Sequence, residues 1–188
     1  MIVGIDEVGR GCWAGPVVAG AVVLRRALPG LRDSKKLTKL QREALDVRIR
    51  KRALAIGLGW ASSKEVDEFG LTEAVRLAMR RALAEITIPY EKVIIDGNYN
   101  YLADVAGTET LIKADDLIPS VSAASIVAKV ARDNWMATEA AKQYPHYEFE
   151  RHVGYGTRLH AAHIQTHGIC DIHRLSYTPI RLANQPIV

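Results

Sequence analysis

Apolar residues along this chain fall into short runs separated by polar and glycine-rich turns. Ile2-Val3-Gly4-Ile5 is a strand-sized run that ends in two adjacent carboxylates, Asp6 and Glu7. Val17 to Leu24, bounded by Pro16 and Arg25, is rich in β-branched residues and predicts a second strand close behind the first. Thr38-Lys39-Leu40-Gln41 has capping-box spacing, and Leu40, Ala44, Val47 and Leu54 form an approximately helical stripe. Ala55 to Ala61 predicts a third strand. Thr72 predicts the cap of another helix, with Val75, Met79, Ala82 and Ile86 on one face and Pro89 closing it.

The opening theme then returns. Lys92-Val93-Ile94-Ile95-Asp96-Gly97-Asn98 is an apolar strand ending in a carboxylate, and Leu111-Ile112-Lys113-Ala114-Asp115 repeats it. A long helix is predicted from Pro119 to about Gln143, and another from Arg158 to His167, with Gly168 at its C′ position. Strands first, then strands interleaved with helices, predict an α/β fold with a mixed sheet. At 188 residues the chain is the length of one domain with a full core, residues 1–188, and no repeat or linker divides it.

Composition narrows the function classes. Hydrophobic content of 48% with 24% charged residues fits a globular protein and argues against disorder. No apolar run approaches the roughly 18 residues of a membrane span, so no membrane role is expected. A basic, then apolar leader is lacking, and Cys12 and Cys170 are expected as free thiols of a cytoplasmic protein. The net charge of +4 is compatible with a polyanionic partner without demanding one. Part of the positive charge crowds into Arg42, Arg48, Arg50, Lys51 and Arg52, a pattern that a solvated helix face also explains.

The candidate chemistry lies at the three predicted strand ends. Neighbouring strand ends in an α/β sheet bring distant residues together, so Asp6, Glu7, Asp96 and Asp115 are expected to converge. Four carboxylates in one place repel unless divalent cations neutralise them, and oxygen-only ligation points to Mg²⁺ or Mn²⁺ rather than zinc. Two such ions can drive an in-line displacement at phosphorus. Beside the acidic pair, Arg10 stands between Gly9 and Gly11, where bare backbone can approach a ligand.

At this point the chain resembles the ribonuclease HII family, the type 2 ribonucleases H. The matching segments are Gly4-Ile5-Asp6-Glu7-Val8-Gly9-Arg10-Gly11, Asp33-Ser34-Lys35-Lys36-Leu37, Ile95-Asp96-Gly97-Asn98, Lys113-Ala114-Asp115, and Ser122 to Asp133. Gly154-Tyr155-Gly156-Thr157 and His173-Arg174-Leu175-Ser176-Tyr177 follow in the family's order. Cys12-Trp13 departs from the proline and aliphatic residue common in the family. The resemblance implies an RNase H-like core over about 1–143 and a helical, substrate-contacting part over about 144–188. It implies hydrolysis of the RNA strand of RNA/DNA hybrids and incision 5′ of ribonucleotides embedded in duplex DNA, leaving 3′-hydroxyl and 5′-phosphate ends. It also implies a monomer serving replication or repair, with two Mg²⁺ or Mn²⁺ ions held by Asp6, Glu7, Asp96 and Asp115. Gly9, Arg10 and Gly11 match the element that senses the ribose 2′-hydroxyl, and Tyr155 the ring that packs on the following deoxyribose. With so short a lead into the first strand, no room is expected for the extra N-terminal domain of ribonuclease HIII.

Three groups outside this set carry weaker expectations. Lys35 and Lys36 are expected to contact backbone phosphate. Trp60 and Trp135 are expected in the core. His160, His163 and His167, at i, i+3 and i+7, are expected on one partly solvated helix face leaning toward phosphate, because nothing obvious completes a zinc tetrahedron around them.

Overall fold

The computed structural model describes residues 1–185. A five-stranded sheet forms its centre: β1 (Ile2–Val8), β2 (Val17–Leu24), β3 (Ala53–Ala61), β4 (Lys92–Asp96) and β5 (Thr108–Leu111), in the order β3-β2-β1-β4-β5. The first three strands pair antiparallel, whereas β4 and β5 join parallel to β1 and to each other, so the sheet is mixed as expected. Helices cover both faces. On one side α3 (Leu71–Ala84) packs Val75, Ala78, Met79 and Ala82 against Val3, Ile5, Val17 and Ala21. On the other, α1 (Lys39–Arg52) and α5 (Pro119–Trp135) enclose Val22 with Leu45, Ile49, Ala124 and Val127.

The close seat of α5 depends on Gly4. A Cβ there would stand 2.2 Å from the backbone of Ser120 and Val121, so only glycine lets the helix lie on β1. That contact fixes side-chain direction as well as distance. Successive residues of a strand point to opposite faces, so Gly4 and Asp6 face α5, while Val3 and Ile5 face α3.

Several sequence expectations change. The strand β1 runs on through Asp6 and Glu7 to Val8 instead of ending at Ile5. Thr38 does close a capping box with Gln41, but Leu40 and Val47 are exposed, and α1 buries Leu45 and Ile49, an i, i+4 pair, against α5. Leu54 belongs to β3. A short helix, α2 (Ser63–Phe69), was not anticipated; Ser62 and Glu65 form its capping box, and Gly70 both ends it and begins α3 ahead of Thr72.

The long helix from Pro119 is helical throughout but not uniform. A π-helical turn at Met136–Ala140 joins α5 to the one-turn α6 (Ala141–Gln143). Beyond it lie α7 (Phe149–His152), α8 (Arg158–His167) and α9 (Thr178–Ala183), gathered around Met136, Tyr147, Phe149, Ile164 and Ile180. Trp60 and Trp135 are only half-buried. Their rings meet edge to face at 6.4 Å and line a surface cleft of about 480 Å³ with Pro16 and Tyr144, and Trp135 packs on the edge of the cluster around Phe149.

Candidate active site

The parallel pairing of β1 with β4 matches Ile5 to Ile95, so Asp6 and Asp96 follow side by side at the next step of each strand. Asp115 reaches them by a different route from the one expected. The strand β5 ends at Leu111; Lys113 then adopts a left-handed conformation (φ 60°) and starts α4 (Ala114–Leu117), which carries Asp115 in its first turn. The Asp96 carboxylate accepts the Ala114 N–H at 2.7 Å and the Asp115 N–H at 3.4 Å, which caps that short helix and holds Asp115 against it.

Carboxylate oxygens of Asp6, Asp96 and Asp115 all lie within 4.8 Å of one another, and Asp6 and Asp115 are buried. Among the described residues none of the three forms an ion pair. Burial, and then the neighbouring charges of Glu7 and Asp96, push Asp6 well above the usual carboxylate range. Burial and then Asp96 push Asp115 up in the same way. Glu7 is not one of the three whose oxygens meet within 4.8 Å, but it lines the same cavity as Asp6 and Asp96 and its charge acts on Asp6. Its Oε1 pairs with Arg10 Nη1 at 3.1 Å, its Oε2 is buried with no hydrogen-bond partner, and burial outweighs Arg10 to raise its pKa. An all-oxygen donor set, mutual repulsion and an orphaned buried carboxylate oxygen together suit a hard divalent cation.

Next to these groups Gly9, Arg10, Gly11, Lys35, Ser125, Lys129 and Tyr155 line one cavity of about 500 Å³ with Asp6, Glu7 and Asp96. Lys36 turns elsewhere, to Asp116 at 2.6 Å on the exposed side of α4. Gly9 has φ 93°, and a Cβ there would stand 2.4 Å from Arg132 Nε.

Two fully buried arginines, to which the sequence reading assigned no role, hold this loop by its carbonyls. Arg132 donates to the carbonyls of Ala14, Pro16 and Val153, and Arg174 donates to those of Arg10 and Gly15. Tyr177 adds its hydroxyl to the Arg10 carbonyl. A guanidinium presents five donors in a rigid fork, so one side chain can tie several loop carbonyls where a lysine could not. The advance signal was their place in two of the matching segments, Ser122 to Asp133 and His173 to Tyr177, which gave them no role of their own.

Tyr155 sits across the cavity from the acids, bridged through its backbone to Cys12, with Lys129 Nζ 5.0 Å from its ring centroid. Burial raises its phenol to about 12, so the hydroxyl stays protonated. The two cysteines are unpaired.

The expected solvated histidine face does not form. His160 is fully buried, His163 is half-buried and only His167 is exposed, because α8 lays its His160 edge over Phe149 and His152. Burial lowers His160 to about 3 and His173 to about 4, and lowers His152 as well. Unfolded histidines bind a proton near pH 6.5, whereas these folded ones refuse it until the pH is much lower. Their contribution to stability is therefore complete above pH 6.5 and is lost as pH falls toward 4, at up to about 1.4 kcal/mol per pH unit for each ring. Thermal unfolding followed by circular dichroism should show the melting temperature dropping across that window, with a shallower drop in His160→Asn.

Comparison with known proteins agrees with this geometry. Residues 3–180 match the family model described as Ribonuclease HII. The chain is 46% identical over 190 residues to ribonuclease HII of Paracidovorax citrulli, covering 100% of this chain and 78% of that one. It is 47% identical to that of Geobacillus thermodenitrificans, covering 97% and 70%. Among solved structures, ribonuclease H2 from Pyrococcus horikoshii superposes with TM-score 0.79 at 28% identity, over 97% of this chain and 96% of that one. Ribonuclease HII from Archaeoglobus fulgidus, solved in complex with PCNA, gives 0.74 at 26% identity over 94% and 95%. A family match over nearly the whole chain, relatives this close and the acidic strand ends lead to one conclusion: the chain belongs to the ribonuclease HII family.

Proposed function

We propose that this ribonuclease hydrolyses the RNA strand of RNA/DNA hybrids and incises duplex DNA 5′ of embedded ribonucleotides, leaving 3′-hydroxyl and 5′-phosphate ends. The observation that carries this reading is the convergence of three aspartates, two of them buried, with no cation paired to them among the described residues, beside a glycine-flanked loop. Asp6, Glu7, Asp96 and Asp115 would hold two Mg²⁺ or Mn²⁺ ions. Bound there, such ions would neutralise the acids, activate the attacking water and stabilise the leaving 3′ oxygen.

The chain's own groups supply the rest. The backbone of Gly9, Arg10 and Gly11 reads the 2′-hydroxyl, the one local mark that separates RNA from DNA. Gly11 leaves room for that approach, since a Cβ there would meet nothing within 4 Å. Lys35 and Lys129 are placed to offer positive charge to the phosphates that enter the cavity. Tyr155 packs on the deoxyribose that follows, where an aromatic face suits a sugar lacking the hydroxyl. Two unpaired cysteines fit a reducing compartment, and we place the enzyme in the cytoplasm as a monomer.

A labelled duplex carrying one ribonucleotide tests this directly. Incision should vanish in EDTA and return with Mg²⁺ or Mn²⁺; full cleavage in chelator would defeat the metal-dependent reading. A second comparison separates two adjacent acids. Asp115→Asn should abolish turnover with little loss of hybrid binding. Asp116→Asn should stay within a few-fold of wild type, because its carboxylate is spent on an exposed, solvent-screened pair with Lys36. Inactivity of the Asp116 variant would shift the ligand assignment by one residue.

A further inference from the structure

The shortest hydrogen bonds around His160 and His173 favour one arrangement of protons. Cys170 N–H approaches His173 Nδ1 at 2.8 Å, so that nitrogen accepts and the His173 proton resides on Nε2. His173 Nε2 lies 3.0 Å from His160 Nε2, which must then accept. The remaining proton of His160 is on Nδ1, 3.0 Å from the Tyr155 carbonyl, which can only accept. Each step agrees with the next along the line from Cys170 N–H to Tyr155 O; Cys170 Sγ at 3.2 Å and the Cys170 carbonyl at 3.3 Å also lie near His173 Nδ1, and the shorter contact from the Cys170 N–H takes its lone pair. Both rings are buried, with His152 stacked on His160 at 4.3 Å and Trp13 tilted against it at 5.7 Å.

A fixed relay aimed at a carbonyl matters here because of what that carbonyl belongs to. Tyr155 has few other tethers. Its own N–H donates to the His152 carbonyl at 2.9 Å, its carbonyl also takes the Thr157 N–H at 2.8 Å, and its backbone bridges to Cys12. His152 adds a second ordered ring behind it, donating from Nε2 to the Tyr147 carbonyl while Nδ1 accepts the Gly154 N–H. The low pKa values of His160 and His173 keep the relay neutral, and so intact, at neutral pH.

We propose that the ordered His173–His160 pair positions Tyr155, and thereby sets how strongly the enzyme prefers a ribonucleotide–deoxyribonucleotide junction over continuous hybrid. Neither ring lines the acidic cavity, so the pair acts through the tyrosine. This rests on the reading of Tyr155 as the residue that packs on the deoxyribose, and it extends that reading to two side chains no motif role had included.

The test uses single-turnover rates of the full chain on a duplex with one ribonucleotide and on a continuous RNA/DNA hybrid. His160→Ala should slow the first by about tenfold, near the upper end of one net hydrogen bond, and the second by no more than about threefold. His160→Asn, whose amide keeps a donor near the Nδ1 position, should recover most of the loss. In a Tyr155→Ala background, His160→Ala should change the first rate by less than about twofold, since residues that act as one unit are not additive. Equal losses on both substrates that persist undiminished without the Tyr155 ring would overturn the proposal. The two readings fail separately: if Tyr155→Ala alone lowers both rates equally, the junction reading falls, while additivity or its absence still judges the link from His160 to Tyr155. Should His160→Ala not fold, long-range ¹⁵N–¹H correlation spectra of the wild-type chain must show the proton on Nδ1 of His160 and on Nε2 of His173. The opposite tautomers would end the proposal.

Discussion

Replacing Asp6 with Asn is expected to abolish turnover while making the metal-free protein harder to melt. The loss of rate should be about a thousandfold or more, the upper end of what removing a single electrostatic stabiliser costs. Asp6 is buried, with Glu7 and Asp96 both raising its pKa. A buried charge among like charges is a liability to the fold that only a bound cation offsets. Asn removes the charge at nearly constant volume and keeps the acceptor that receives the Glu7 N–H at 2.8 Å. In chelator the variant should gain about 0.5–2 kcal/mol, roughly 1–8 °C in melting temperature, as is usual where a functional site holds back stability. Added Mg²⁺ should raise the melting temperature of wild type and raise that of Asp6→Asn much less. A variant that melted lower in EDTA and still cleaved would show that Asp6 is an ordinary structural carboxylate.

How much of this site could be read from the chain alone depends on how local each cause is. Asp6 and Asp96 were legible because a carboxylate closing an apolar run stands at or near the end of a strand, and parallel neighbours place such positions together. Asp115 was legible as a residue but not as a position. The αL backbone at Lys113 is unusual for a lysine, and it exists here because the Asp96 carboxylate caps the turn that follows, a contact 18 residues away in sequence. Glu7 lines the cavity of the aspartates, but Arg10 takes its Oε1, a pairing that the sequence did not foretell.

The misread residues share another cause. Periodicity gives the face of a helix but not what covers it. The spacing of His160, His163 and His167 is that of one face in either setting; α8 buries His160 because α7 and the loop before Arg174 lie beneath it. In α1 the same gap hid the core pair Leu45–Ile49 behind the more regular stripe of Leu40, Ala44 and Val47. Buried arginines are harder still, since the hydrogen bonds of Arg132 and Arg174 go mostly to carbonyls, which no residue type in the sequence marks. Their partners sit in the loop that carries Gly9, Arg10 and Gly11, so the shape of that loop is set from the far end of the chain.

That dependence bears most directly on Tyr155. Its ring should matter most where the sugar after the scissile ribonucleotide lacks a 2′-hydroxyl. Tyr155→Ala is therefore expected to slow incision at a single embedded ribonucleotide by about tenfold to a hundredfold, the range of about 1–3 kcal/mol for an aromatic ring packed on a nucleotide. Cleavage within a continuous RNA/DNA hybrid should fall by less, because the 2′-hydroxyl of the next sugar already crowds the ring there. Tyr155→Phe should keep most of both activities. The phenol is held protonated by burial, so its removal withdraws a donor near Cys12 and no charge. Lys129, 5.0 Å from the ring centroid, approaches the face of Phe as it does that of Tyr, and the cation–π contact should survive the change. Single-turnover rates on the two duplexes decide the matter. If Tyr155→Ala lowers both equally, the ring is a packing element shared by all substrates, and the preference for a junction must come from the Gly9-Arg10-Gly11 backbone alone.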